Sequence, residues 1–144
     1  MNATALNDTI ALGAMTGMRS MAGAATLSLA QDSMLKRVVA MMAAGEMVAD
    51  KTSLVGNRTD AVPLAGRALM GALVGGVAAH ERRGNVLLGG LVAASAAVIA
   101  AHLAFRVRKR LAPSSPLGGF VEDAIVIGIG ALYASQSRPR RLRP

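Results

Sequence analysis

One stretch limits what this chain can fold into more than any other. From Val86 to Phe105 there is no charged residue, and Arg106, Arg108, Lys109 and Arg110 follow at once. About twenty apolar residues wound as a helix match the hydrocarbon thickness of a bilayer, and the basic cluster after them suits phospholipid headgroups. Three further segments have comparable length. The first runs from about Thr9 to Ala30 and carries Arg19 near its middle; the third runs from about Leu64 to His80, after Pro63, with Arg67 one turn in; the last runs from about Leu117 to Ser135, after the Pro113-Ser-Ser-Pro116 breaker, and includes Glu122 and Asp123. Between the first and third lies a shorter apolar segment, Val38 to Asp50, which suits a re-entrant, tilted or interfacial helix. The expected fold is therefore all-α: a polytopic transmembrane bundle of four spanning helices plus one short helix. Residues 1–137 form a single integral domain and 138–144 a basic tail.

Composition supports this class and excludes others. Of the 144 residues 53% are hydrophobic, and the 16 glycines fall mostly in apolar runs, where they permit close backbone approach between helices. The pairs Gly13/Gly17 and Gly71/Gly75 have that spacing and suggest helix packing, including a homo-oligomer. With no Cys and two separated histidines, His80 and His102, no metal centre is expected, and no cofactor motif is present. The net charge of +8 raises the possibility of nucleic acid. However, the basic residues sit in short clusters between apolar runs and only 2% of residues are aromatic, so the bilayer is the expected partner. The expected location is a bacterial cytoplasmic membrane. Charge counting does not orient the chain, because about six basic groups fall on one side and about eight on the other.

The candidate site residues are the charges inside the apolar segments. Glu46 and Asp50 are four apart and share a helix face, with Lys51 beside them. Carboxylates in an apolar helix are costly unless paired, protonated or wet. An ion or solute site fits them, and so do structural ion pairs with Arg19, Arg67 or Lys51. Arg19 needs a carboxylate, carbonyls or water, so either an anion-binding role or a packing salt bridge fits it. Gly13, Gly17 and Gly23 around it would let a backbone approach or let the helix break. Arg67 is placed to snorkel to the interface. Glu122 and Asp123 point about 100° apart, so one is expected inward and the other at the helix start or in water. The pattern R-x-x-x-G-A occurs at Arg19 to Ala24 and again at Arg67 to Ala72, each followed later by acids, an internal echo of the kind repeat-built transporters carry.

Glu46-Met-Val-Ala-Asp50-Lys51 resembles the E-x-x-A-D-K segment of a bacterial membrane-protein family known only as domain of unknown function four-one-two-six. Gly17-Met-Arg19 and the run from Pro116 through Glu122-Asp123 are similar to two further features of that family, so the resemblance covers most of Thr9 to Ser135. Where many members have aromatic and Trp-Asp residues after the Lys, this chain has Arg58-Thr-Asp60. The resemblance implies a multi-span membrane fold and no particular activity. No nucleophile elbow, phosphate loop, zinc-protease helix or dinucleotide fingerprint occurs, so an enzyme is not expected. Two functions fit: movement of a small ion or polar solute past buried carboxylates, or a non-transporting scaffold whose charges are structural pairs.

Overall fold

The computed structural model describes residues 1–31, 36–49, 61–111 and 117–137. These residues form six helices: α1 (Ala3–Met18), α2 (Ala22–Ala30), α3 (Lys36–Ala49), α4 (Ala61–Glu81), α5 (Val86–Leu111) and α6 (Leu117–Ser137). The all-helical expectation holds for the described residues. Among them two helices, α4 and α5, are long and apolar enough to cross a bilayer, not four. The count falls first because the expected span from Thr9 to Ala30 is not one helix. It stops at Arg19, whose backbone is extended, and restarts at Ala22. The pieces have 16 and 9 residues, roughly 24 and 14 Å at 1.5 Å per residue, too short for a straight crossing. The short segment is a helix of 14 residues, also below crossing length. The basic tail and Asp50 and Lys51 lie outside the described residues.

Small residues set the packing. Gly13 and Gly17 of α1 lie on the backbone of Ala93 and Ala97 of α5, in that order, so α1 and α5 run parallel. Gly71 and Gly75 of α4 meet Ala97, Ala93 and Gly89 in descending order, so α4 and α5 are antiparallel. A Cβ on Gly13 would come within 2.7 Å of the Ala93 Cα, and one on Gly75 within 2.6 Å of the Gly89 carbonyl oxygen. No side chain fits at such separations, and this closeness is how helices gain dispersion contact without large side chains. The four glycines expected to mediate an oligomer thus make their close contacts inside the chain.

The core between α1, α4 and α5 is accordingly made of Ala, Gly and a few larger residues such as Leu12, Met15 and Val74. The large aliphatics point outward instead: Leu69, Leu73 and Val77 on α4, and Leu87, Leu91, Ile99 and Leu103 on α5. Thr9 and Thr16 are buried, and their hydroxyls donate to the carbonyls one turn earlier, of Ala5 at 2.6 Å and Leu12 at 2.8 Å, so neither leaves an unmet polar group.

Helix ends follow local rules where the chain is exposed. The Asn2 side chain accepts from the Ala5 N–H at 2.8 Å, and Asn85 caps α5 through the Leu88 N–H at 3.0 Å. Between α4 and α5, the Gly84 N–H donates to Ala79 and the Arg83 N–H to His80, the paired bonds of a Schellman stop, with Arg83 at φ 54° where glycine is usual. Pro63 sits inside the first turn of α4, where its missing N–H costs nothing, so the helix starts before it and not after.

Candidate functional site

The break between α1 and α2 falls between Gly17 and Gly23, which the sequence marks as able to let the helix break, but no residue at the break itself enforces it. Met18, Arg19, Ser20, Met21 and Ala22 include no proline or glycine, and Met, Arg and Ala are good helix formers. What stops the helix is what surrounds it. After the break α2 doubles back on α1: Gly23 lies against the Thr16 side chain and the Leu12 carbonyl, seven and eleven residues earlier. A straight continuation would separate these residues by a full turn and more. Gly23 is required here, because a Cβ would reach 2.7 Å from the Leu12 oxygen.

Reversal frees backbone donors, and Glu46 of α3 takes them. Its two carboxylate oxygens accept from the Ser20 N–H at 2.8 Å and the Met21 N–H at 2.9 Å. A carboxylate on the amides that precede a helix is favoured both by hydrogen bonding and by the helix dipole. Arg67 of α4 reaches the same place. Its Nε donates to the Ser20 hydroxyl at 3.3 Å and one Nη lies 3.8 Å from the Glu46 carboxylate. Arg67 is only 5% exposed, so it does not snorkel as expected but turns inward.

Arg19, at 1% exposure, is among the most completely buried side chains of the protein. Its Nε donates to Asp123 Oδ1 at 2.7 Å and an Nη pairs with the same carboxylate; the Glu122 carboxylate lies 3.9 Å away and the Gly119 carbonyl 3.5 Å. Glu122 and Asp123 are both buried, which corrects the expectation that one would face water or the helix start. They lie in the second turn of α6, and adjacent carboxylates can converge because Arg19 is long enough to lie across the angle between them.

The pairing crosses the two halves of the chain. Arg19, from the first copy of the R-x-x-x-G-A echo, pairs with Asp123 of the later acids; Arg67, from the second copy, lies against the earlier acid Glu46, and Glu122 stands within electrostatic reach of both arginines. Five of the seven residues singled out from the sequence therefore converge: Arg19, Glu46, Arg67, Glu122 and Asp123. Asp50 and Lys51 lie outside the described residues. Sequence reasoning missed Ser20, whose amide and hydroxyl both bond into the cluster, and Gly119, whose carbonyl faces Arg19. Arg108 of α5 was read as a headgroup anchor. Its guanidinium lies beside Gly119, where a Cβ would be 3.5 Å from Nη2. A charge in an apolar segment draws attention in a sequence, and a serine or glycine that bonds to it does not.

Depth follows from the helix register. Gly17 abuts Ala97, so Arg19 lies near the level of Ile99, roughly 10 Å along α5 from Arg106. The cluster thus sits inside the apolar length of α5, nearer the end with the basic residues. At the opposite end, Arg82 pairs with Asp8 at 2.8 Å, with Arg82 39% exposed. His80 and His102 are exposed, and among the described residues no group of three or more potential ligands could hold a metal.

The fold and site define a small helical protein with outward aliphatic faces and a buried charge cluster around a broken helix. No protein-family model, curated protein or solved structure matches the chain.

Proposed function

We propose that this chain is an integral protein of a bacterial cytoplasmic membrane that moves a small ion or polar solute through the charge cluster at the α1–α2 break. The observation that carries this reading is the break itself. A reversed, discontinuous helix with exposed amides is expensive within an apolar layer and is found where it lines a binding site. Here three elements besides the broken helix, α3, α4 and α6, each send a charged side chain to it. Buried charges of both signs at such a break are the arrangement used to bind a charged solute and to couple its passage to rearrangement of ion pairs. Outward Leu, Ile and Val on α4 and α5, with the small and charged residues inside, support placement in lipid.

The test is flux in proteoliposomes across protons, monovalent and divalent cations and small anions. Glu46→Gln and Asp123→Asn, each verified as folded and inserted, should abolish a flux present in the native protein. Absence of any flux above empty liposomes would reject the reading.

A second reading is favoured by a specific observation: each described carboxylate of the cluster lies against an arginine or backbone amides, as structural pairs would. On this view the chain is a membrane scaffold and the cluster locks its helices. Arg19→Gln combined with Asp123→Asn should then cost about 2 kcal/mol less than the sum of the two changes made singly, with no flux to lose.

A further inference from the structure

The contacts fix the direction of each helix, and with it the end of the bundle that each basic group flanks. α1 and α5 run the same way and α4 runs against them. α6 also runs against α1: its Gly119 and Asp123 meet Arg19 at the end of α1, Val126 shares a cluster with Met15, and Tyr133 packs on the cluster that holds Leu12. α2 returns beside α1, with Leu27 in the same cluster as Leu12. Ten residues into α3, Glu46 is back at Ser20 and Met21, so α3 starts near the end of α2 and runs against it. One end of the bundle therefore holds the starts of α1, α3 and α5 and the ends of α2, α4 and α6. The other holds the ends of α3 and α5 and the starts of α4 and α6. Sorted by these ends, the basic residues nearly balance. The first end has Lys36 and Arg37, Arg82 and Arg83, and the four arginines that the chain carries after α6. The second has Lys51 and Arg58, which stand in sequence between α3 and α4, and the four basic residues from Arg106 to Arg110. Of the 16 Lys and Arg only Arg19 and Arg67 remain, and both are buried in the cluster.

We infer that the chain inserts in both orientations, so that copies of opposite sense share one bilayer. This rests on placement in the membrane as proposed above, and not on transport. Orientation is set by the excess of Lys and Arg near the ends of spans, and acidic residues contribute little. Here the four groups after α5 are offset by the four after α6, because those two helices end on opposite faces, and Lys36 and Arg37 are offset by Lys51 and Arg58. Arg82 and Arg83 alone are left over. The first helix, the usual carrier of an orientation signal, has no Lys or Arg before it. Holding either end in the cytoplasm consequently has nearly the same free energy. The charge cluster lies nearer the α5 basic end in every copy, so copies of the two senses carry it nearer opposite faces of the bilayer.

The chain has no Cys, so single cysteines report sidedness without background. His80→Cys, exposed at the first end, and Val107→Cys, 52% exposed at the second, are each made in the full chain and treated in intact bacterial cells with a membrane-impermeant maleimide. With both orientations present, each position is labelled in some copies and protected in the rest until the cells are lysed. Removing two basic groups from the second end, by Lys109→Gln with Arg110→Gln, should protect Cys at 80 and expose Cys at 107. Replacing the four arginines after α6 by Gln should shift both positions the opposite way. Full labelling of one position with full protection of the other in the chain without charge changes overturns the inference. Mixed labelling that neither charge variant moves also overturns it, since the mixture would then not follow from charge. A chain released from membranes by alkaline carbonate removes the membrane placement itself, and the inference with it. Flux is read separately in proteoliposomes: mixed labelling without flux keeps dual insertion and removes transport, and flux with a single orientation does the reverse.

Discussion

Asp123→Asn tests the energetics of the cluster most directly. Arg19 is almost wholly buried and its Nε bond to Asp123 is 2.7 Å long, so the substitution keeps the shape and removes the opposing charge. Leaving one partner of a buried pair uncompensated costs about 3–5 kcal/mol. Here the Glu122 carboxylate at 3.9 Å and the Gly119 carbonyl at 3.5 Å still face the guanidinium, which places the expected loss at the low end, about 3 kcal/mol. The asparagine oxygen can keep one hydrogen bond, and that again argues for the low end. Arg19→Gln alone should cost a similar amount by stranding Asp123. In the double variant the two losses should fall short of their sum by about 2 kcal/mol, the range seen for residues in one charge network. Reversible unfolding in bicelles or a mixed-micelle denaturant titration reads all four corners of the cycle. Single variants within about 0.5 kcal/mol of the native protein, or losses that simply add, would refute the claim that the pair holds α6 against the α1–α2 break.

The other expectations concern packing, charge and lipid. Gly17→Ala should destabilise by about 2 kcal/mol or more, since its Cβ would press into the Ala97 backbone, whereas Gly128→Ala, with nothing within 4 Å, should stabilise by about 0.5–1 kcal/mol through helix propensity; thermal melts of the two variants check both. Arg83→Gly should raise stability by about 1 kcal/mol by relieving the left-handed backbone at φ 54°, read by the same melts. Arg82→Gln should cost less than about 1 kcal/mol, because its pair with Asp8 is open to solvent at the arginine, and its cost should shrink as salt is added. Leu91→Arg, at an outward position 68% exposed on α5, should impair insertion of α5 by roughly 2–3 kcal/mol in a glycosylation-mapping assay; an unchanged insertion efficiency would argue against a lipid-facing α5.

Much of the helical framework was legible in the residues. The uncharged run before Arg106 reads directly as α5, whereas the segment expected to begin after Pro63 starts at Ala61, two residues before it. The glycine pairs were readable as close-approach sites, but not their partner: the spacing of Gly13 and Gly17 is the same whether the facing backbone is another chain or Ala93 and Ala97 of this one. Arg19, Glu46, Arg67, Glu122 and Asp123 stood out because charge in an apolar segment must be compensated. Which charge compensates which did not follow, and the inward turn of Arg67 contradicts the snorkelling that its position one turn into a span suggests.

The sequence by itself determined that the described residues are helical and that seven charged residues in or beside apolar segments would need partners or water. These are consequences of local hydrogen bonding, hydropathy and the cost of isolated charge, each computed over a turn or two of chain. Only the tertiary structure decided that the helix from Ala3 stops at Arg19. Nothing between Met18 and Ala22 forbids another turn. The helix ends there because Asp123, 104 residues later, draws Arg19 out of line and Glu46 satisfies the amides that the reversal exposes. The energies that settle it lie in bonds between distant segments, and no window along the chain contains both ends of them.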